Sequence, residues 1–513
     1  MSRRRNALIN AAFAYAQSML GILAGFYVTR LLVRVLGTDQ YGMWLATGGL
    51  IAYAGFTDLG IFAVMPWLFA EADGEKNITR TRSLIAHGLL AGTAAGVAYV
   101  VAAFALWRLL PHMTHLDSTE FMILRGPLWV MVLATAIGCP LLLFSTFLSG
   151  LQDFKFLGSW QLIGILLNAT LTYGLLRAGV GLYAVAIAGV SQSLLVSVAS
   201  LVRALLRYRE SLRPLPRPSW RATRSIISSG TGSWMGRLGW QMAFATDAIV
   251  IAHLGYTRLV PSFMITSRLG LTLMQLAWSL PDSALIGLAN LGAEGDRERT
   301  ADVVRTLIRL TLVPIGAIAC VTLAVNGAFV RAWVGADLYG GARLNVLFAL
   351  DVVGLSVVHA LVTPAAVLGS RWQVGSITLA NGVAHIVFAL VLGHRLGLAG
   401  VAAATVLSAL VTTVPIGARV LATRTGISVA STFGSIVLPW AARVLPWSML
   451  ASFAGWALTQ SRYATASRMG GLVAAGAAAA AIALGYMWSV RSMMTNLPFG
   501  PRLTKILSAI RLL

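Results

Sequence analysis

The sequence predicts an all-α polytopic membrane protein with about fourteen transmembrane helices. Three observations carry that expectation. Of 513 residues, 58% are hydrophobic and only 11% are charged, against about 25% charged in a typical soluble chain. The mean hydropathy is +0.79. Apolar segments of membrane-spanning length recur from end to end, separated by short basic loops. So little charge on so long a chain cannot cover several soluble domains. A soluble enzyme, a secreted disulfide scaffold and a disordered protein are excluded together. The 2 cysteines, Cys139 and Cys320, lie in apolar runs and read as packing residues.

A helix needs about 20 apolar residues to cross about 30 Å of hydrocarbon. Segments that meet this are 9–33, 41–69, 83–107, 121–149, 159–177, 181–203, 225–253, 259–288, 304–330, 343–368, 374–394, 398–419, 434–459 and 467–489. Arg3, Arg4 and Arg5 precede the first. That segment is too long for the apolar stretch of a secretory signal, and no small-residue cleavage site follows it. It reads as a first spanning helix entered from the cytoplasm. Several segments are long enough to require tilt or breaks. Asp58-Leu59-Gly60 and Pro66 interrupt the second, and Pro281 interrupts the eighth.

With the N-terminus inside, an even number of spans returns the C-terminus to the cytoplasm. This orientation places 25 of the 39 Lys and Arg in cytoplasmic pieces and 11 at the outward ends. Arg237, Arg268 and Arg443 fall inside spans. The bias obeys the positive-inside rule. The net charge of +22 therefore reads as orientation in a membrane rather than as a nucleic-acid footprint.

The longest loop, 207–224, contains Pro214, Pro216 and Pro218 and is rich in Arg. It reads as an extended, basic cytoplasmic linker. It divides the chain into a six-helix lobe at 1–206 and a second six-helix lobe at 225–424. A further helix pair at 425–490 and a cytoplasmic tail at 491–513 follow. The two lobes read as parallel repeats about an axis along the membrane normal. Glu71 to Arg82 after the second span corresponds to Glu294 to Arg299 after the eighth. Arg177-Ala-Gly179-Val-Gly181 corresponds to Arg395-Leu-Gly397-Leu-Ala-Gly400. In the tail, Leu503, Ile506, Leu507 and Ile510 share one face of a short amphipathic helix, expected on the cytoplasmic leaflet.

Chemistry that the sequence lacks narrows the function. No Gly-x-x-x-x-Gly-Lys-Ser/Thr is present to cradle nucleotide phosphates. No His-Glu-x-x-His or Cys-x-x-Cys pair offers a metal site. The outer loops, such as Leu109 to Glu120 and Arg331 to Ala342, are too short to house a catalytic domain. The expectation is a protein that is not an enzyme and takes no cofactor.

Ionisable residues inside spans point to function, because each costs about 2.5–3.5 kcal/mol at the bilayer centre unless paired or hydrated. Arg237 and Arg268 are candidates for a cationic lumen that binds an anionic headgroup. Guanidinium suits this role because it grips phosphate oxygens in a bidentate fork and keeps its proton. The plainer reading is an intramembrane ion pair with a carboxylate on another helix. Asp58 and Asp282 occupy corresponding places in the two halves and read as hinge or helix-cap carboxylates, with ion coupling as the alternative. Asp247 and Asp351 are candidates for coupling to a proton or sodium ion. His87, His359 and His385 read as hydrogen-bonded between helices rather than as proton relays. Gly21-x-x-x-Gly25, Gly92-x-x-x-Gly96 and Gly232-x-x-x-Gly236 permit close helix approach.

A series of short motifs runs the length of the chain. Arg30-Leu-Leu-Val-Arg34-Val-Leu-Gly37 is followed by Tyr41-Gly42-Met-Trp44, then by Phe56-Thr-Asp58-Leu-Gly60 and Gly150-Leu-Gln152. Gly179-Val-Gly181-Leu-Tyr-Ala184, Phe329-Val-Arg331-Ala-Trp333-Val-Gly335 and Gly397-Leu-Ala-Gly400-Val-Ala complete it. In order and spacing these resemble the Wzx-type polysaccharide and O-antigen flippases of the multidrug/oligosaccharidyl-lipid/polysaccharide (MOP) exporter superfamily. The resemblance implies a V-shaped, MATE-like bundle of two six-helix lobes around a cationic cavity, with the last two helices outside it. It implies a multi-pass protein of the bacterial inner membrane. Such a protein flips a lipid-linked oligosaccharide, carried on undecaprenyl pyrophosphate, by alternating access during exopolysaccharide or lipopolysaccharide synthesis. Implied partners are that lipid-linked glycan, membrane lipids, a coupling H+ or Na+ and the polysaccharide polymerase machinery, with no nucleic acid. Two rivals stand beside it. One is an ion-coupled drug or small-molecule exporter of the same superfamily, which favours an acidic lumen. The other is a membrane glycan polymerase or ligase, which requires an outer-loop group such as Asp117, Glu120 or Arg331.

Overall fold

Among the described residues, ten helices are long and apolar enough to cross a membrane. Large apolar side chains stand exposed along their outer faces, for example Val97, Val101 and Phe104 on one helix. Such a surface is stable only against lipid. The computed structural model describes residues 3–369, 371–460 and 468–494, and no strand occurs among them. The tail helix expected beyond Pro501 lies outside the described residues. By internal contact the chain divides into two units, Met1–Leu238 with Gly255–Arg258 and Gly239–Leu254 with Leu259–Leu513.

The first unit opens with α1 (Arg3–Ala52), which is helical throughout except at Gly37 (φ 75°). The non-helical gap expected between residues 33 and 41 is therefore reduced to one residue. A 3-10 turn (Tyr53–Asp58) and two left-handed residues, Leu59 and Gly60, lead into α2 (Ile61–Gly74). Pro66 does not interrupt α2, which continues through it. Then come α3 (Ile78–Thr114), α4 (Ser118–Gly150), α5 (Phe154–Arg177), α6 (Leu182–Arg207), the single turn α7 (Arg209–Leu212) and α8 (Trp220–Phe244). The core gathers Ile61, Met65 and Phe69 of α2 with Ile85 of α3 and Leu143 and Phe147 of α4. Gly92 and Gly96 let α3 run close to α4: a Cβ at Gly96 would meet the Ala136 carbonyl oxygen at 2.7 Å. The linker carries no regular secondary structure from residue 215 to 219, and it is anchored. Leu212 is buried in the core, the Arg82 guanidinium donates to the Glu210 carbonyl at 2.9 Å, and the Ser219 N–H donates to His87 Nε2 at 3.1 Å.

The second unit contains the end of α8, α9 (Asp247–His253), α10 (Val260–Asp282), α11 (Leu285–Glu294) and α12 (Arg297–Trp333). Next are α13 (Gly341–Leu368), α14 (Arg371–Leu396) and α15 (Leu398–Thr425). A single turn α16 (Val429–Thr432) and a π turn (Phe433–Val437) precede α17 (Leu438–Gln460), and α18 (Arg468–Ser489) follows. Of four expected spans, 159–177, 225–253 and 259–288 are not among the ten, and 41–69 is present only as residues 41–58, at the end of the candidate Phe13–Asp58. Three of them are broken: at Leu59-Gly60, between α8 and α9, and after Asp282 next to Pro281. The fourth, in α5, carries Lys155, Gln161, Asn168 and Arg177.

Both units repeat the same local devices. α3 and α12 are each 37 residues long. Asn77 caps one by accepting the Arg80 N–H at 2.9 Å, and Asp296 caps the other by accepting the Arg299 N–H at 3.0 Å. These caps satisfy helix-start donors that hydrocarbon would leave unpaired. Gly181 before α6 (φ 64°, ψ −137°) and Gly397 before α15 (φ 62°, ψ −142°) share one backbone conformation. A side chain rarely tolerates it, which explains the glycine in both turns.

The last two helices pack on α12. The Tyr486 hydroxyl of α18 donates to the Val313 carbonyl at 2.9 Å and accepts the Trp440 indole N–H of α17 at 3.0 Å. Both rings are essentially fully buried, and burial pins this junction to one geometry. Tyr486→Phe leaves a buried indole donor and a buried carbonyl without their partner. We expect a loss of about 1–3 kcal/mol, read as a lower thermal unfolding temperature of the detergent-purified protein.

Candidate functional site

The helix break at residues 53–60 exposes carbonyls and amides that no helical ladder satisfies. One face of α8 covers it. Gly230, Trp234 and Arg237 follow at intervals of four and three residues, so they line one stripe of the helix. Gly230 and Gly60 meet backbone to backbone: a Cβ on either would lie 2.6 Å from the other's carbonyl oxygen. The Trp234 indole N–H donates to the Phe56 carbonyl at 2.7 Å. Arg237 Nη1 donates to Asp58 Oδ2 at 3.2 Å, and its guanidinium lies 5.7 Å from the centre of the Phe56 ring. Asp58 turns its other oxygen inward to accept the Gly60 N–H at 3.1 Å. Its side chain is 11% exposed, whereas that of Arg237 is 49% exposed. The carboxylate is thus consumed by the break, while most of the guanidinium donors still face outward.

In the second unit the corresponding break follows α10. Asp282, its last residue, accepts from His359 Nε2 on α13 at 2.9 Å, and His359 Nδ1 meets the Thr363 hydroxyl at 3.0 Å. Trp278, one turn before Asp282, stacks on the imidazole with ring centres 4.0 Å apart and planes 2° apart. Its indole N–H donates to Ser356 at 3.0 Å. The stacked, doubly bonded imidazole has one orientation open to it.

Asp247 starts α9 and accepts from His385 Nε2 on α14 at 2.9 Å. His385 is fully buried, and its Nδ1 has no partner. Asp351 on α13 is buried within electrostatic range of Asp247 and makes no hydrogen bond or ion pair among the described residues. The structure therefore brings the two candidate coupling carboxylates together and adds a histidine between α9 and α14. Arg268 on α10 is exposed and, among the described residues, carries no ion pair. Arg237 belongs to the first unit and Arg268 to the second. Among the described residues, no three His, Cys, Asp or Glu side chains group closely enough to hold a metal ion.

Sequence reasoning identified the ionisable positions inside the spans but not their partners. The stripe Gly230, Trp234, Arg237 carries a readable signal, since its spacing marks a helix face. The pairs Asp58–Arg237, Asp282–His359 and Asp247–His385 carry none. Their members lie 179, 77 and 138 residues apart. All three histidines bond a residue of another element, His87 through Ser219. Of the outer-loop groups, Asp117 accepts the Glu120 N–H at 2.7 Å and Glu120 accepts the Asp117 N–H at 3.1 Å. This reciprocal capping box commits both carboxylates to starting α4.

No protein-family model and no curated protein sequence matches the chain. Solved structures do. The lipid II flippase MurJ, in an inward closed conformation, superposes with a TM-score of 0.63 at 12% identity, over 95% of this chain and 100% of that one. A multidrug resistance MATE family transporter of the MOP superfamily, in an inward-facing conformation, gives 0.61 at 15% identity, over 84% and 99%. A MATE protein in a bent conformation gives 0.52 at 16% identity, over 83% and 100%. At such identities the likeness is one of fold. The chain is an all-helical membrane protein with the fold of these transporters.

The contact of α8 with the break rests on close packing more than on charge. Gly230→Ala forces a methyl into the Gly60 carbonyl, and we expect a loss of about 1–3 kcal/mol. The half-exposed ion pair, measured as a double-mutant cycle of Arg237→Gln and Asp58→Asn, should couple by no more than about 1 kcal/mol. Thermal unfolding of the purified variants checks both; a larger coupling energy than the glycine effect would reverse the ranking.

Proposed function

We propose that this protein is a MOP-superfamily flippase that moves a lipid-linked oligosaccharide, carried on undecaprenyl pyrophosphate, from the inner to the outer leaflet of a bacterial inner membrane. The observation that carries the reading is a guanidinium with free donors in each of the two units of a transporter fold. Arg268 is exposed without an ion pair among the described residues, and Arg237 is half exposed with donors to spare. A cation held in hydrocarbon without compensation is costly, and an anionic ligand offsets that cost. Pyrophosphate offers the oxygens that guanidinium binds best. The fold likeness to a lipid II flippase spans 95% of the chain, against 84% for the inward-facing MATE transporter.

Flipping such a substrate moves many hydroxyls past the hydrocarbon, and each unpaired hydroxyl costs roughly 2–7 kcal/mol. A protein that exposes a polar site alternately to each side removes that barrier, while the prenyl tail stays in lipid. Asp247, His385 and Asp351 form a buried set able to take up a proton or sodium ion. In this reading they link transport to an ion gradient, while Asp58 and Asp282 brace the two helix breaks. The capping roles of Asp117 and Glu120 weigh against a polymerase or ligase centred on them. A small-molecule exporter of the same fold is the second reading, favoured by the MATE likeness.

The test uses a deletion strain of the native host. Its lipids are extracted and analysed by mass spectrometry, and membrane sidedness is read with an impermeant reagent. A complete lipid-linked repeat unit should accumulate on the inner leaflet. Wild type should clear it, and Arg237→Ala combined with Arg268→Ala should fail to. Unpolymerised units already outside point instead to a polymerase or ligase, and an unchanged glycan profile points to a small-molecule exporter.

A further inference from the structure

A second polar concentration lies in the first unit, built from residues that the proposed substrate site does not use. The α4–α5 turn, the first turns of α5 and the end of α6 enclose a cavity of about 590 Å³. Lys155, Phe156, Trp160, Arg203, Arg207 and Tyr208 are among its walls. Arg203 is already committed. Its Nε donates to Asp153 Oδ2 at 3.0 Å, and its guanidinium lies 5.0 Å from the centre of the Phe156 ring. Lys155 and Arg207 are exposed, and neither has a carboxylate partner among the described residues. The Arg207 guanidinium lies 5.8 Å from the centre of the Tyr208 ring. With Arg203 and Asp153 cancelling, the cavity keeps two uncompensated positive charges. Burial first, and then the nearby Asp153 carboxylate, push the Tyr208 hydroxyl up, so it stays a neutral donor.

The setting identifies the occupant. On α6, Val198, Val202, Leu205 and Leu206 are exposed, Leu206 to 80%, and lead directly to Arg207. That face suits acyl chains; it lies more than a third of a turn around α6 from Arg203 and Arg207 and reaches the same end of the helix. Trp160 and Phe156 pack 6.0 Å apart beside them. Indole and phenyl rings at the boundary between an apolar face and a cationic rim are a composition that favours the headgroup level of a bilayer. The Arg-rich linker lies at the same end of the unit, since Arg82 at the start of α3 bonds Glu210. Inner leaflets are anionic.

We propose that this cavity binds the headgroup of an anionic phospholipid. Lys155 and Arg207 hold the phosphate, and Phe156 and Trp160 rest against the glycerol and the upper acyl chain. Arg203 and Asp153 shape the wall as a neutral pair. The inference does not depend on the flippase reading.

The full-length protein, purified in mild detergent and exposed to vesicles of phosphatidylcholine with phosphatidylglycerol, should retain phosphatidylglycerol in native mass spectrometry. Each cation near a lipid phosphate contributes about a fivefold effect, so Lys155→Gln with Arg207→Gln should cut retention roughly 30-fold. The charge-keeping swap Lys155→Arg with Arg207→Lys should preserve it. If the double variant does not fold, Arg207→Gln alone, at an exposed position, should still give about a fivefold loss. Arg221→Gln with Arg224→Gln, at the exposed start of α8, should leave retention unchanged. An equal loss there makes the effect diffuse charge and overturns the site. Retention of phosphatidylcholine as strong as phosphatidylglycerol overturns it as well. Displacement by inorganic phosphate, or preferential occupation by a prenyl pyrophosphate, assigns the cavity to a free anion or to transported cargo and removes the phospholipid.

Discussion

Hydrocarbon offers no water to an unpaired amide or carbonyl, so a membrane helix can be interrupted only where other parts of the chain cover the break. The arrangement of ionisable residues in this protein follows from that constraint. The interruption at residues 53–60 is closed by a stripe of α8 that meets it with a glycine, an indole and a guanidinium. The interruption after α10 is closed by a carboxylate, an imidazole and a stacked indole. At the first break the charged group that looks functional in the sequence also serves the backbone, since Asp58 accepts the Gly60 N–H. Asp58 and Asp282 each end a helical segment and each bond a cation or imidazole of another helix.

This dual use distinguishes the two candidate lumen arginines. Arg237 has an anionic partner inside its own unit, so its charge is already partly compensated when no substrate is present. Arg268 has no such partner among the described residues. A ligand phosphate reaching Arg237 competes with Asp58 and thereby with the brace on a helix break. One reaching Arg268 competes with water alone. The two contacts carry different energetic consequences although the residue type is the same.

The second unit concentrates its titratable groups more deeply. His385 is fully enclosed, Asp247 is 14% exposed at its side chain, and Asp351 is buried nearby. An orphaned imidazole nitrogen is expensive in a medium of low polarity. The basic cavity at the end of α6 is different in kind. Its free cations are exposed, and Phe156 and Trp160 line the same cavity.

The sequence by itself determined the class of this protein and much of its local structure. Scarcity of charge and recurrence of long apolar segments dictate an all-helical membrane chain. The Asn77 and Asp296 caps, the Gly181 and Gly397 turns and the break at Leu59-Gly60 are written in residues whose conformational preferences are local. Where polarity and breaks coincide, in α5, α8 and α10, the helices do not follow the apolar segments from end to end. Tertiary structure alone decided which charges meet. Asp58 with Arg237, Asp282 with His359 and Asp247 with His385 are separated by many helices in the chain, and nothing in residue spacing encodes those pairings. Packing sets them, because only the folded bundle brings the breaks of one helix under the polar stripe of another.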